Sequence, residues 1–354
     1  MKNRKRKFPS FIMFFVIIIL IALATFKYVE YNLDSVSKND DTNVLFVVDD
    51  GSTVTTILNK LELNNLIKNS DIAKIYLKLN PLAIKAGSYE LNKSMDTIAI
   101  LNYLSDSNNA IINDVTITFI EGDWFKDIVK KISDATDLTY QAIIDYTSDE
   151  NVLNYLIEEY DILTPSILDS NVRYPLEGYL FPDTYTFYKD TSVEDAIAKL
   201  LNESNKLYLD NKELFEDSDL SIAEIITLAS IVQYEASKEE DMMDIAQVFY
   251  NRMAINMPLQ SSVTVCYALD LDKNNDSWQK CETNPDFDSA YNTYKYNGLP
   301  PGPILNPGKK AIMATLKPNK NDYYYFMADV YGDGTVYFSK TYQEHVNYVN
   351  KYLK

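Results

Sequence analysis

Glu235 closes a largely apolar stretch, Ile222 to Val232, whose spacing is that of a helix. Ser221-Ile-Ala-Glu224 has the capping-box form, in which serine hydroxyl and glutamate carboxylate each satisfy a free backbone N–H. Ile222, Ile225, Ile226, Ala229 and Val232 mark the buried face. Glu235 lies a turn beyond Ile231 and two beyond Leu228. A carboxylate on so apolar a helix loses hydration, which favours its protonated form and suits a general acid. The residues alone leave a second reading open, a surface glutamate reaching water from a helix end.

Other polar groups could hold a ligand. Gln260, Ser261 and Thr264 follow a second helical stretch, and Tyr291, Asn292 and Tyr294 lie on a later loop. For each, a structural turn hydrogen bond is an equal reading. Asp183, in Phe-Pro-Asp-Thr, is either a second carboxylate for a hydrolytic pair or a turn cap. His345 is the lone histidine and reads as structural. With one His, two Cys and no CxxC, no zinc site is expected.

The elements that must position these residues are legible in part. Val44–Val48 is a strand, followed by Asp50-Gly51 and a helix with Ile57, Leu58 and Leu61 on one face. A second helix spans Ser70 to Leu79, and a strand near 84–91 carries Gly87-Ser88-Tyr89. Ser94 is the expected N-cap of a helix through Leu104. The pattern recurs: Val115–Ile120 is a strand, Glu121-Gly122 replaces Asp50-Gly51, and Ile128, Val129 and Ile132 repeat the helical offsets. The second copy is expected to close at Glu177-Gly178-Tyr179 after a longer insertion. Helices follow at 193–209, 222–236 and 241–256; beyond Pro258 the chain turns loop-rich, then ends in strands near 323–326 and 336–338 and a helix at 343–353.

Charge is unevenly spread over the 354 residues. Lys2, Arg4, Lys5, Arg6 and Lys7 crowd the N-terminus, and no acid precedes Glu30. Setting those five aside leaves 28 of 33 basic residues against 51 acidic, a body near −23 that excludes nucleic acid as a partner. Phe11–Phe26 is an uncharged apolar run. With its flanks it predicts a single membrane-spanning anchor, tip inside and body outside, with a cleaved signal peptide as the alternative. Cys266 and Cys281 either bridge, which closes a loop worth about 3 kcal/mol, or stay free.

Several stretches in the same order resemble the endolytic murein transglycosylases, the MltG or YceG-like family. They are Glu177-Gly-Tyr-Leu-Phe-Pro-Asp-Thr-Tyr185, Ala229-Ser-Ile-Val-Gln-Tyr-Glu-Ala236 and Val248-Phe-Tyr-Asn-Arg-Met253. Met257-Pro-Leu-Gln-Ser261, Tyr291-Asn-Thr-Tyr294, Gly298 to Ile304, Asn306-Pro-Gly308 and Phe338-Ser-Lys-Thr-Tyr-Gln-Glu-His345 continue them. The family's catalytic glutamate falls on Glu235; its usual earlier acid is Gln233 here, and its usual Asp-Pro-Thr-Val is Ser262-Val-Thr-Val265.

The resemblance implies an α+β fold: an N-terminal transmembrane helix, LysM-like β-α-α-β modules, then a mainly helical catalytic domain with a few strands. The implied layout is a basic cytoplasmic tip at 1–10, anchor at 11–29, linker at 30–43, duplicated LysM-like region at 44–190, and catalytic region at 191–354 with 177–185 contributing. It implies cleavage between N-acetylmuramic acid and N-acetylglucosamine inside nascent peptidoglycan strands, leaving 1,6-anhydro ends and using no cofactor or metal. Glu235 would be acid and base; amides and hydroxyls at Gln260, Ser261, Thr264 and Asn292 would suit N-acetyl and ring hydroxyl groups, Tyr291 and Tyr294 would suit pyranose faces, and the Asp183 carboxylate is a further substrate-binding candidate. The implied location is the cell membrane, with the catalytic region outside, glycan strands as substrate and wall-synthesis proteins in the membrane as partners. A muramidase, or a wall-binding scaffold without catalysis, are the alternatives.

Overall fold

The computed structural model describes residues 10–49, 51–111, 114–236, 238–271, 281, 286–329 and 332–353. The basic tip through Pro9, and Asp50 of the first strand–turn, lie outside the described residues. The chain is mixed α and β and divides into two units, 1–113 and 114–354.

In the first unit, α1 (Ser10–Leu33) contains a 20-residue stretch, Phe14–Leu33, long and apolar enough to cross a membrane. The helix runs past the expected anchor into the segment expected as a linker. Its end is packed down: Asn32 and Ser35 are buried, and the Lys68 ammonium donates to the Tyr31 carbonyl at 3.1 Å. Then β1 (Val44–Val48), α2 (Val54–Leu63), α3 (Ser70–Leu79) and β2 (Gly87–Leu91) form a β-α-α-β unit, with β1 and β2 antiparallel from Val44↔Leu91 to Val48↔Gly87. Thr53 and Asn69 cap the two helices, and Ile57, Leu58, Leu61, Ala73 and Leu77 face the strands in one core. Helix α4 (Thr97–Ser105) completes it; its cap is Asp96, not Ser94, because the Asp96 carboxylate accepts from the Ala99 N–H.

The second unit opens with the repeat of this pattern. β3 (Asp114–Thr118) leads through Gly122 to α5 (Phe125–Ala135), α6 (Tyr140–Ser148) and an added α7 (Glu150–Glu159). The closing strand is β4 (Thr184–Tyr188), antiparallel to β3 from Asp114↔Tyr188 to Thr118↔Thr184. Glu177-Gly178-Tyr179 is therefore a buried turn ahead of that strand. Its glycine is required: φ is +88°, and a Cβ there would come within 2.5 Å of Pro303.

Helices α8 (Val193–Asp210), α9 (Lys212–Glu216), α10 (Ile222–Glu235), α11 (Glu239–Ala254) and α12 (Ser262–Ala268) follow. Then come α13 (Lys309–Leu316), the ribbon β5 (Tyr325–Ala328) and β6 (Val336–Ser339), and α14 (Tyr342–Tyr352). The boundary expected at 190/191 falls inside one core: Ile117, Phe119, Ile128 and Phe187 pack with Ala196, Leu200, Ile225 and Ile226. A second cluster joins Leu228, Ile231 and Val232 of α10 to Ile245 and Phe249 of α11 and Ala311 and Ala314 of α13. Helix α10 is thus buried on every side from Ile225 to Val232.

Where the repeat meets the helices, one amide is fully used. The Asn306 Nδ2 donates to the Asp123 carbonyl and to Glu177 Oε1 at 3.0 and 3.1 Å, while its Oδ1 accepts from the N–H groups of Gly178 and Leu180. Glu177 is 1% exposed and also accepts from the Phe125 N–H and the Tyr267 hydroxyl. Burial pushes its carboxyl up to about 8, against those two donors. Folded protein therefore keeps this proton at pH values where unfolded chain has released it, so Glu177 lowers stability progressively as pH rises from near 4.5 through about 8. Glu177→Gln, which mimics the neutral form, is expected to flatten that decline. Urea midpoints at pH 5 and pH 8 check this: the variant gains stability over the parent at pH 8 and not at pH 5.

Candidate active site

Glu235 is the last residue of α10, and its capping box is formed as expected, the Glu224 carboxylate accepting from the Ser221 N–H at 2.8 Å. The helix breaks there because Ala236 is extended. Glu235 is half-buried, and the Ser261 hydroxyl donates to its Oε1 at 2.6 Å. Two residues earlier, Gln233 Oε1 accepts from the Gly308 N–H at 3.0 Å, so the amide that replaces the expected acid caps the start of α13. Ser230, a turn before that, accepts from the Ile304 N–H. Gly302 to Gly308 lie buried, and this segment packs against α10 through Ile304 and Gly308.

Ser261 is held from both sides. Its N–H donates to Thr293 Oγ1 at 3.0 Å, and its carbonyl accepts from the hydroxyls of Thr264 and Thr293. The Gln260 N–H donates to the Thr293 carbonyl, and Gln260 itself is exposed with φ at +48°. Asn292 is buried, donating to the Phe287 carbonyl and accepting from the Tyr294 N–H. The structure thus joins Ser261, Thr264 and Thr293 in one network ending on Glu235, with Gln260 tied to it through its backbone N–H and Asn292 and Tyr294 flanking Thr293 on the same loop.

Tyr291 joins the network's frame, not a ligand face. It is 5% exposed, its ring lies 4.9 Å from that of Tyr267, and its hydroxyl accepts from the Arg173 N–H. Asp183 sits exposed just before β4, its carboxylate accepting from the Thr184 N–H at 2.7 Å and its carbonyl from the Phe119 N–H. Cys266, on α12, is joined to Cys281 with Cα atoms 5.1 Å apart, which ties the helix that begins beside Ser261 to the segment beyond it.

Arg252 was not among the expected site residues. It lies 6% exposed on α11 and donates to the Tyr324 carbonyl at 2.6 Å and to the Leu259 carbonyl at 2.5 Å, the latter two positions before Ser261. Its guanidinium also covers the Tyr325 ring at 5.3 Å. Burial pushes Arg252 below its usual range, while Tyr325, Glu235 and Tyr294 hold its charge. A signal was present: Met242, Ile245, Ala246 and Phe249 mark the buried face of α11, and Arg252 falls one turn further on it. His345 stacks on Tyr325 at 5.6 Å, and burial, with Arg252 nearby, lowers its pKa. Thr293 and Asn306 were likewise missed; their roles depend on partners far along the chain.

The model of the YceG-like family matches residues 46–351. The chain belongs to this family. Among YceG-like relatives, a Bacillus subtilis (strain 168) protein named endolytic murein transglycosylase is 36% identical over 337 residues, covering 94% of this chain and 91% of that protein. A Streptococcus pneumoniae serotype 2 (strain D39 / NCTC 7466) protein of the same name is 33% identical over 349 residues, covering 94% of this chain and 63% of that longer protein. A crystal structure of a yceG-like protein from Listeria monocytogenes superposes with a TM-score of 0.61 at 33% identity, covering 87% of this chain and 99% of that one.

Removing the guanidinium by Arg252→Met leaves the Tyr324 and Leu259 carbonyls without their donor. The expected loss is about 2–4 kcal/mol in denaturant unfolding, whereas Arg252→Lys, which keeps a charge and donors, loses less.

Proposed function

We propose that this chain is a membrane-anchored endolytic murein transglycosylase in which Glu235 is both acid and base. The observation that carries the reading is a carboxylate at the end of a buried helix, bonded to a serine hydroxyl, in a YceG-like chain whose relatives bear that name. Hydrolysis of a glycoside ordinarily uses two carboxylates, one of them serving water or a covalent intermediate. A lytic transglycosylase uses one, because the 6-hydroxyl of the muramic acid residue is the nucleophile. Glu235 protonates the glycosidic oxygen as the bond from the muramic acid anomeric carbon breaks. Its carboxylate then takes the 6-hydroxyl proton as that oxygen closes the 1,6-anhydro ring, which restores the acid.

Ser261 suits this alternation. A hydroxyl donates to a carboxylate and accepts from a carboxylic acid, so one partner holds Glu235 in both protonation states. The buried Arg252 cation favours the carboxylate left after the first transfer. Gln260, exposed, and Tyr294, half-exposed, can meet sugar hydroxyl and N-acetyl groups. Thr264, Asn292 and Tyr291 support them from beneath.

The apolar α1 is the anchor, with the basic tip inside and the acidic body outside the cell membrane. A disulfide at Cys266–Cys281 fits the oxidising side. The two β-α-α-β copies act as LysM-like wall-contacting units, and the helical region from 191 with the 177–185 turn as the catalytic part. The substrate is nascent peptidoglycan, and wall-synthesis proteins in the membrane are the partners.

Digestion of purified sacculi followed by mass spectrometry tests the chemistry. The expected fragments end in 1,6-anhydro-muramic acid; reducing ends overturn the transglycosylase reading. Glu235→Gln is expected to lose turnover by about a hundredfold or more while still binding glycan. Ser261→Ala is expected to slow it by about tenfold or more, the worth of one hydrogen bond to a charged group.

A further inference from the structure

An enzyme that cuts within a strand must hold sugars on both sides of the broken bond. Arg252 grips the chain at Leu259, two residues before the Ser261 that bonds Glu235. From the Leu259 carbonyl, which Arg252 grips, the guanidinium reaches across to Tyr325 of β5. Tyr325 is in turn 5.6 Å from the ring of His345 and 5.9 Å from that of Tyr342, and Tyr342 and His345 lie 6.3 Å apart. Three aromatic rings from β5 and α14 thus form one cluster that begins at the cation beside the acid.

The cluster differs in character from the rest of this C-terminal helix. Tyr348 and Tyr352 pack on Tyr337 of β6, the pair Tyr337–Tyr352 stacking at 4.3 Å, so they fasten α14 to the ribbon. Tyr342 does little fastening: it is 66% exposed at the first turn of α14, just after the Thr341 cap. That large ring, left in water beside partly covered rings, is a surface that a ligand with one apolar face would cover. Pyranose rings have such a face in their axial C–H groups. Tyr291, one of the two tyrosines expected to suit pyranose faces, is closed in the core, whereas Tyr342 is open.

We propose that Tyr342, with Tyr325 and His345 behind it, is a glycan subsite that holds the strand beyond the residue being cut, and that Arg252 fixes it relative to Glu235. The subsite takes a pyranose of the peptidoglycan strand by stacking on the tyrosine ring. This rests on the murein transglycosylase reading above. It adds a length requirement: a strand long enough to reach Tyr342 binds more tightly than a fragment that occupies only the sugars next to Glu235.

The test uses the full chain carrying Glu235→Gln, so that strands are bound and not consumed. Affinity for purified uncrosslinked glycan strands is measured with and without Tyr342→Ala and Tyr342→Phe. Tyr342→Ala is expected to weaken binding of long strands by about three- to tenfold, the range of an aromatic contact, and to leave a disaccharide's binding unchanged. Tyr342→Phe, which keeps the ring, is expected to bind as the parent does. In the active protein the same Tyr342→Ala raises KM on long strands and leaves kcat unchanged. Equal affinity of all three proteins for long strands overturns the subsite and leaves the Glu235 reading standing. Failure of the Glu235→Gln parent itself to bind any strand overturns both.

Discussion

All four hydrogen-bonding valences of the Asn306 amide are taken up inside the protein, and the rest of the catalytic unit is arranged around that fact. Two donors and two acceptor positions reach Asp123, Glu177, Gly178 and Leu180, two stretches of chain remote from Asn306 in sequence. None of these groups can move without stranding a buried partner, which costs more than a single bond is worth. The Glu177 carboxyl stays neutral in this setting because desolvation outweighs the donors around it. Two residues past Asn306, Gly308 binds Gln233, so the brace extends into the last turn of α10. The last turn of α10, which ends on Glu235, is thus braced from the Asn306–Gly308 segment, and Ser261 holds the carboxyl itself.

This division of labour explains which parts of the molecule could be read from the sequence. Helix α10 was legible because its cap is local: Ser221 and Glu224 are three positions apart. Helices α12 and α13 were not, since neither has a side-chain cap of its own; Gln233 supplies that of α13 from 75 positions away, and the Cys266–Cys281 bond and the surrounding core hold α12. The repeat was visible through its strands and helix offsets. Its second closing strand was misplaced because Gly178 imitates Gly87 by residue type while serving a different end, the approach of Pro303.

At the site the same rule holds residue by residue. Ser261 and Gln260 could be singled out by type and neighbourhood, and Ser261 does meet Glu235. Tyr291 looked like an open ring because nothing nearby in the chain covers it; Arg173, 118 positions earlier, and Tyr267 do so. Arg252 was not singled out, although it continues the buried face of its helix. Long-range closure hides a side chain, or gives it a task, without leaving a mark in its immediate sequence.

The end of α1 carries one more consequence. The helix does not give way to a loose tether; it continues to Leu33, Tyr31 is clasped by Lys68, and Ser37 and Asp40 are tied to Lys93. A slack joint would let the β-α-α-β unit of 44–91 spin and nod independently of the helix. Here there is no swivel at that point, so a roll or tilt imposed on α1 is delivered to that unit as torque, and whatever grips the helix also aims what stands on it.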